Sequence, residues 1–172
     1  FNANIEKIPS LRPAFKKDGT VTAANASSIS DGASALLLMS ESSAAAKGVK
    51  PLARILAHST QSQHPSEFTC APVGAIKTLL EKTGWSTDDV DLYEINEAFA
   101  MVAMMPIDEL GLDADKVNIY GGACAQVHPV GSTGSRLLVT LLNDLKNTGG
   151  KKGVAALCIG GGEATAMAIE LL

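Results

Sequence analysis

Successive segments of the chain space their apolar residues in two ways, every second residue as in a strand or every 3.6 residues as in a helix. In residues 52–58 two sets of side chains alternate from one residue to the next, and this pattern predicts a strand with at least one apolar face. Residues 72–82 repeat apolar positions at helical spacing, and Gly84 lies just past their end, where glycine commonly terminates a helix. The same criteria predict strands at 21–23, 91–95, 117–120, 153–159 and 164–172, and helices at 31–47, 98–110 and 132–146.

Alternating strands and helices that finish on two β-prone segments predict an α/β protein. We expect a sheet covered by helices, mostly parallel with an antiparallel finish. Pro106 lacks an N–H donor, so it is predicted to kink or end the helix at 98–110. Residues 1–20 contain proline and glycine among charged residues and are predicted to form an extended surface connector. The chain opens on Phe1 rather than Met, which we interpret as the middle of a longer protein.

Composition narrows the functional classes. A chain of 172 residues, 46% of them apolar, can bury a core. Its net charge is −4 and its 14 Lys and Arg residues are scattered, so no basic stripe predicts a nucleic-acid partner. Three widely spaced cysteines without a secretory leader argue against disulfides and favour a reducing, cytoplasmic location. No apolar run approaches the ~20 residues that cross a bilayer, so no membrane partner is expected.

Polar groups interrupt the pattern at two strand-to-helix joints. Asn96 follows a predicted strand at the edge where α/β ligand sites lie, although a helix cap is an alternative interpretation. Residues 121–134 contain four glycines around His128, which is suited to act as an acid, a base or an oxyanion donor. A glycine-rich turn with a histidine at its edge is the alternative here. A metal site at Cys124 and His128 lacks two further ligands, and a phosphate loop lacks its Gly-Lys-Ser/Thr ending.

The third unusual segment is Cys158-Ile-Gly-Gly-Gly, between the last two predicted strands. A cysteine in a strand is usually an inert apolar residue. Here the three glycines remove side chains near the sulfur and leave N–H groups free to bind an oxyanion. Cys70 and Cys124 have no comparable setting, and both are interpreted as structural.

These three segments, in this order, resemble the Asn-Glu-Ala-Phe, Gly-His-Pro and Cys-x-Gly-Gly-Gly motifs of thiolases. The resemblance extends upstream and covers nearly the whole chain. Its upstream parts are residues 11–15, 18–23, 25–27 and 31–33. The chain is most similar to the biosynthetic acetoacetyl-CoA thiolases (acetyl-CoA acetyltransferases) that feed bacterial polyhydroxybutyrate synthesis.

The resemblance implies a thiolase fold with a mixed five-stranded sheet covered by helices. Residues 1–27 would end the loop region that covers the substrate. Residues 28–49 would form the last helical segment of the N-terminal domain, and residues 50–172 the C-terminal domain. The family assembles as homodimers or homotetramers. The nucleophilic cysteine belongs to the N-terminal half, which this sequence lacks, so the fragment alone is expected to be inactive.

The resemblance also implies a reaction: condensation of two acetyl-CoA molecules to acetoacetyl-CoA and CoA, or its thiolytic reverse. By motif, His128 would activate the nucleophile and bind the thioester oxygen, and Asn96 would hold a water that completes this oxyanion hole. Cys158 would be the acid/base at carbon, a role that suits a thiol whose pKa a nearby imidazole can lower. The Gly160 N–H would form part of a second oxyanion hole, and Ser27 would contact the pantetheine arm of CoA. No metal or redox cofactor is implied, because the CoA thioester is the substrate.

Four residues depart from the family pattern. Val127 stands where a glycine usually precedes the histidine, and Gln126 replaces an apolar residue. A positive φ at Val127 would cost about 1–3 kcal/mol or displace the imidazole. Tyr120 replaces an asparagine, and Ala24 replaces a glycine.

Two other classes of protein remain as alternatives. A ketoacyl synthase shares the fold but uses a cysteine with two histidines, and Cys-Ile-Gly-Gly-Gly argues against it. A non-catalytic thiolase-like or lipid-transfer protein would explain Gln126 and Val127 as marks of lost function.

Overall fold

The computed structural model describes residues 4–172, so the first three residues of the expected loop region lie outside the described residues. Helices α1–α4 and strands β1–β4 make up most of the regular structure. Their bounds in chain order are α1 Glu41–Ala46, β1 Ala53–Ser62, α2 Ala71–Thr83, β2 Leu92–Ile95, α3 Ala100–Leu110, α4 Thr133–Thr148, β3 Lys152–Cys158 and β4 Glu163–Leu171. Short 3₁₀ helices lie at Ile5–Ser10, Pro65–Cys70 and Ala114–Lys116.

One mixed sheet with the strand order β1-β4-β3-β2 forms the centre of the fold, which confirms the α/β class. β2 pairs with β3 in parallel, whereas β3–β4 and β4–β1 are antiparallel. The expectation of a mostly parallel sheet was therefore wrong. The antiparallel finish expected at β3 and β4 is present, as their short glycine connection requires. The difference comes from β1, which pairs with the other edge of β4 in the antiparallel direction and leaves β2–β3 as the one parallel pair of these four strands.

The sheet has four strands within the described residues rather than the five expected. Residues 117–120 make a single parallel bridge, Tyr93 to Val117, and then turn away. Asn118 adopts a left-handed φ of 49°. Its side chain accepts from the Ile95 N–H (2.8 Å) and donates to the Ile95 carbonyl (2.9 Å), so it takes up the hydrogen bonds that a fifth strand would make.

Two predictions in the N-terminal part were wrong. Residues 31–40 have no regular structure, and the only helix in the predicted range 31–47 is α1, which Ser40 caps. The Ser34 hydroxyl lies 2.6 Å from those of Ser132 and Ser135, so side-chain contacts with the start of α4 hold this segment in place of helical hydrogen bonds. Residues 21–23 form no strand, because the Asn25 side chain bonds to the Thr22 N–H (2.7 Å) and closes a turn instead.

Helices cover both faces of the sheet. α2 and α3 pack on one face, against small residues such as Ala166 and Ala168, and the leucines of α4 pack on the other. Pro106 neither ends α3 nor separates it into two helices; it lies buried within a helix that continues to Leu110. Within the described residues, none of the helices has the length and apolar character needed to cross a membrane.

Candidate active site

The carboxyl ends of β2 and β3 bring two of the predicted site residues to one edge of the sheet. The strands are parallel, with Ile95 opposite Ala156, and the Asn96 N–H donates to the Ala156 carbonyl (2.9 Å). Cys158 ends β3 two residues later. Asn96 and Cys158 thus leave neighbouring strands at the same edge, the carboxyl edge at which Asn96 was expected from the sequence.

His128 meets Asn96 at this edge. The Asn96 side chain is 1% exposed, and its Nδ2 lies 3.4 Å from His128 Nε2. The backbone of His128 is fixed from the opposite side: its N–H donates to the Ser28 carbonyl (2.9 Å) and its carbonyl accepts from the Ser30 N–H (3.3 Å). The imidazole therefore lies between the end of β2 and an extended N-terminal segment.

Hydrogen bonds also determine which ring nitrogen of His128 carries the proton. Nδ1 lies 2.8 Å from the Thr133 hydroxyl, which itself donates to the Pro129 carbonyl (3.0 Å). Because the hydroxyl proton is already used, its oxygen accepts from Nδ1–H, and Nε2 is left with a free lone pair toward Asn96. Burial, and then the charge of Arg136, lower the pKa of His128. The ring is therefore a neutral base near neutral pH.

The departures from the family pattern cause no strain in this loop. Asn118 is the only non-glycine residue with a positive φ in residues 4–172, so Val127 avoids the expected cost. Val127 is 41% exposed, and the imidazole next to it keeps its bonds. The Gln126 Nε2 donates to the Gly121 carbonyl (2.9 Å) and so closes the glycine turn before His128.

Cys158 is half-buried just before a tight turn of three glycines. Burial raises the pKa of its thiol to about 11, so the expected lowering by an imidazole does not occur in this structure. In the turn, the Gly162 N–H donates to the Ile159 carbonyl (3.1 Å), and a Cβ on Gly162 would collide with the Gln63 carbonyl oxygen. Gly160 is exposed at the tip, and its N–H reaches no backbone acceptor in the described part of the chain.

Comparison with known proteins identifies the family. The model of the thiolase C-terminal domain matches residues 49–171, and that of the thiolase N-terminal domain matches residues 1–42. The chain belongs to the thiolase family. It is 51% identical over 169 residues to an acetyl-CoA acetyltransferase of Chromobacterium violaceum, covering 98% of this chain and 43% of that protein. This thiolase chain therefore spans less than half the length of that relative.

Solved thiolase structures share the fold. The crystal structure of the Bacillus anthracis acetyl-CoA acetyltransferase matches with a TM-score of 0.95 at 47% identity, over 99% of this chain and 43% of that one. A thiolase from Ascaris suum in complex with coenzyme A matches with a TM-score of 0.88 at 41% identity, over 99% and 45%. These matches confirm the thiolase fold predicted from the motifs.

Two further residues of this thiolase chain build the loops around the site. The Ser27 hydroxyl donates to the Ala98 carbonyl (2.9 Å), which ties the N-terminal segment to the start of α3, and its contact with pantetheine stays a prediction. Glu97 accepts from Asn118 Nδ2 (2.9 Å) and from the Cys124 N–H (3.1 Å). Cys124 is half-buried with a pKa raised to about 11 by burial, in keeping with a structural role. The described residues contain no cluster of three or more potential metal ligands.

Sequence reasoning missed Thr133, Arg136 and Glu94. Thr133 holds the imidazole, and Arg136 Nη2 donates to Asn96 Oδ1 (3.2 Å). Glu94 is 2% exposed in the middle of β2, directly beneath the site. The charge of Glu94 was a signal in the sequence that could have found it, because an ionisable residue within a fully buried strand is rare unless it has a partner.

Proposed function

We propose that this chain supplies the histidine, the asparagine and the acid/base cysteine of an acetyl-CoA acetyltransferase. The reaction is the condensation of two acetyl-CoA molecules to acetoacetyl-CoA and CoA, or its thiolytic reverse. The observation that carries the proposal is the Asn96–His128 pair, with an amide nitrogen 3.4 Å from an unprotonated imidazole nitrogen at the edge where β3 ends on Cys158.

The first half-reaction would use His128 as a base. Its Nε2 takes the proton of a nucleophilic cysteine, which we expect in the N-terminal half of the complete protein. The thiolate attacks the thioester carbonyl of acetyl-CoA, and CoA leaves as a thiolate that takes the proton of the Cys158 thiol, which leaves Cys158 as a thiolate. The protonated Nε2 and a water held by Asn96 then face the carbonyl oxygen and stabilise its negative charge.

The second half-reaction would use Cys158 at carbon. Its thiolate removes a methyl proton from a second acetyl-CoA, and the resulting carbanion attacks the acetyl-enzyme carbonyl. The tetrahedral intermediate expels the enzyme's nucleophilic sulfur and releases acetoacetyl-CoA. The exposed Gly160 N–H has no backbone acceptor among residues 4–172, which suits it to the enolate oxygen. In the reverse direction the protonated thiol, the form favoured at neutral pH, donates its proton to the departing enolate.

Substrates, location and assembly follow from this proposal. The ligands are acetyl-CoA and acetoacetyl-CoA, Ser27 contacts the pantetheine arm, and no metal or redox cofactor takes part. We place the protein in the cytoplasm, as a homodimer or homotetramer that supplies acetoacetyl units for polyhydroxybutyrate. Residues 1–27 belong to the loop region, 28–49 to the end of the N-terminal domain and 50–172 to the C-terminal domain.

Thiolysis of acetoacetyl-CoA by the complete polypeptide that carries this chain tests the proposal. We expect His128→Ala and Cys158→Ser each to lower kcat by at least about a hundredfold, as removal of a catalytic acid or base does. His58→Ala and Cys70→Ser are matched controls, because His58 is exposed on β1 and Cys70 ends the 3₁₀ helix before α2. Full activity of His128→Ala would refute the assignment, and an inactive wild type would favour the non-catalytic alternative.

A further inference from the structure

Arg136 lies behind Asn96, on the side away from His128. It belongs to α4, and its Nη2 donates to Asn96 Oδ1 over 3.2 Å. Its Nε and Nη1 are also buried, and neither finds a hydrogen-bond partner in the described part of the chain. The guanidinium therefore makes one hydrogen bond from a buried position, and it makes that bond to a residue of the site.

This bond determines which end of the Asn96 amide faces the site. A guanidinium has donors and no acceptor, so the atom next to it must be the amide oxygen. Oδ1 then faces Arg136, and Nδ2 faces His128 Nε2 at 3.4 Å. Without the guanidinium the amide could rotate by a half-turn, and its oxygen would then face the reacting groups.

We propose that Arg136 is a positioning residue that holds the amide of Asn96 with its N–H groups toward His128 and the thioester oxygen. The inference rests on the proposed function and deepens it. A water that must stabilise a negative oxygen has to receive a hydrogen bond from Asn96 or be oriented by it, and a rotated amide would oppose that charge. Arg136 thus acts on the reaction through Asn96, without touching the substrate.

The surroundings of Arg136 explain how a buried cation is tolerated. Glu94 lies two residues before Asn96 and therefore projects from the same face of β2. Glu94 and Glu97 both favour the charged guanidinium, against the effect of burial. Asp144 lies on the same helix as Arg136, and its charge adds to burial in raising the pKa of Glu94. Glu97 thus supplies the counter-charge of the positioning residue, since a pKa of about 8 keeps the Glu94 carboxyl largely protonated near neutral pH.

A double-mutant cycle in the complete polypeptide tests the inference. Arg136→Met removes the charge and the donor at similar length, and we expect kcat to fall about tenfold or more with KM within about threefold. Asn96→Ala should cost about a hundred- to a thousandfold, as loss of an oxyanion donor does. If Arg136 acts through Asn96, the double variant will be no slower than Asn96→Ala alone. If the losses of kcat from the two substitutions multiply in the double variant, the inference is overturned. It is also overturned if Arg136→Met is as active as the surface control Arg54→Met.

A second readout does not depend on activity. Modification of His128 by diethyl pyrocarbonate, followed across pH by peptide mass spectrometry, reports the pKa of its imidazole. Arg136 lowers that pKa, and a rotated amide oxygen would stabilise the protonated ring. We therefore expect the pKa of His128 to rise in Arg136→Met. It should rise less in Arg136→Lys, which keeps the charge, and this variant provides the measurement if Arg136→Met does not fold. An unchanged profile in both variants would overturn the inference even if the wild type proved inactive.

Discussion

At the scale of single residues, the two candidate proton carriers are poised in opposite ways. His128 is a neutral base because burial and Arg136 disfavour its charged form. Cys158 is a protonated thiol because burial raises its pKa to about 11. A resting site with one base and one acid suits the thiolytic direction of the proposed reaction, in which the nucleophile would lose a proton and the leaving carbon would gain one.

The raised pKa of Cys158 predicts a steep pH dependence of its alkylation. Only the thiolate reacts with iodoacetamide, so the rate at Cys158 should rise about tenfold per pH unit from pH 7 to 10. Peptide mass spectrometry separates this site from Cys70 and Cys124. A rate that levels off near pH 8.5, as for an unperturbed thiol, would contradict the prediction.

At the scale of elements, the local periodicity of apolar residues was sufficient to predict a helix where that helix packs through one regular face. The predicted helix at 72–82 corresponds to α2, and the predicted helix at 132–146 corresponds to α4. Prediction failed where a side chain replaces backbone pairing. Asn118 ends the fifth strand in this way, and nothing in the local pattern of residues 117–120 distinguishes it from a strand residue.

The residues of the candidate site also differ in whether the local sequence pattern could predict them. Asn96, His128 and Cys158 stand at joints between elements, where glycine, proline and polar residues break the pattern and attract notice. Arg136 and Glu94 lie inside regular elements, so their role depends on which strand and helix face each other. That arrangement is a tertiary property, and apolar spacing along the chain does not encode it.

The turn between β3 and β4 predicts a large cost for one methyl group. Gly162 has a φ of 105°, and a Cβ there would meet the Gln63 backbone. We expect Gly162→Ala to lower the free energy of unfolding by about 2 kcal/mol or more, from backbone strain and overpacking together. Gly149→Ala isolates the strain, because Gly149 has a φ of 79° and open space around it. If urea denaturation shows the same loss of unfolding free energy in both variants, the contact between the new Cβ at position 162 and the Gln63 backbone is relieved at no cost.

At the scale of the whole molecule, the core belongs to the sheet and the helices that cover it. Among residues 4–172, every large buried apolar side chain lies between Ile76 and Ile169. The N-terminal segment instead exposes large apolar side chains, among them Phe15 at 75% and Ile29 at 86%. Its contribution is to hold His128 and α3 by hydrogen bonds from residues 25–30.

Buried Glu94 predicts a pH dependence of global stability. Burial, and then Asp144, raise its pKa from 4.5 to about 8. The folded state thus binds this proton more tightly, and the stabilisation is complete below pH 4.5 and is lost as the pH rises toward 8. The stability of the wild type relative to Glu94→Gln should fall by up to about 1.4 kcal/mol per pH unit in this window.

Urea denaturation at pH 5, 6.5 and 8 measures this difference. Glu81→Gln, on the exposed side of α2, corrects for the loss of a surface carboxylate. A constant difference between wild type and Glu94→Gln would show that Glu94 does not change its protonation on folding.

The Asn118 side chain has a consequence for how the molecule behaves among its own copies. An exposed strand edge offers unpaired N–H and carbonyl groups that can recruit another chain into an aggregate. At the β2 edge, Asn118 takes both groups of Ile95, and its own N–H takes the Tyr93 carbonyl (2.9 Å). One asparagine therefore caps that edge against intermolecular strand addition.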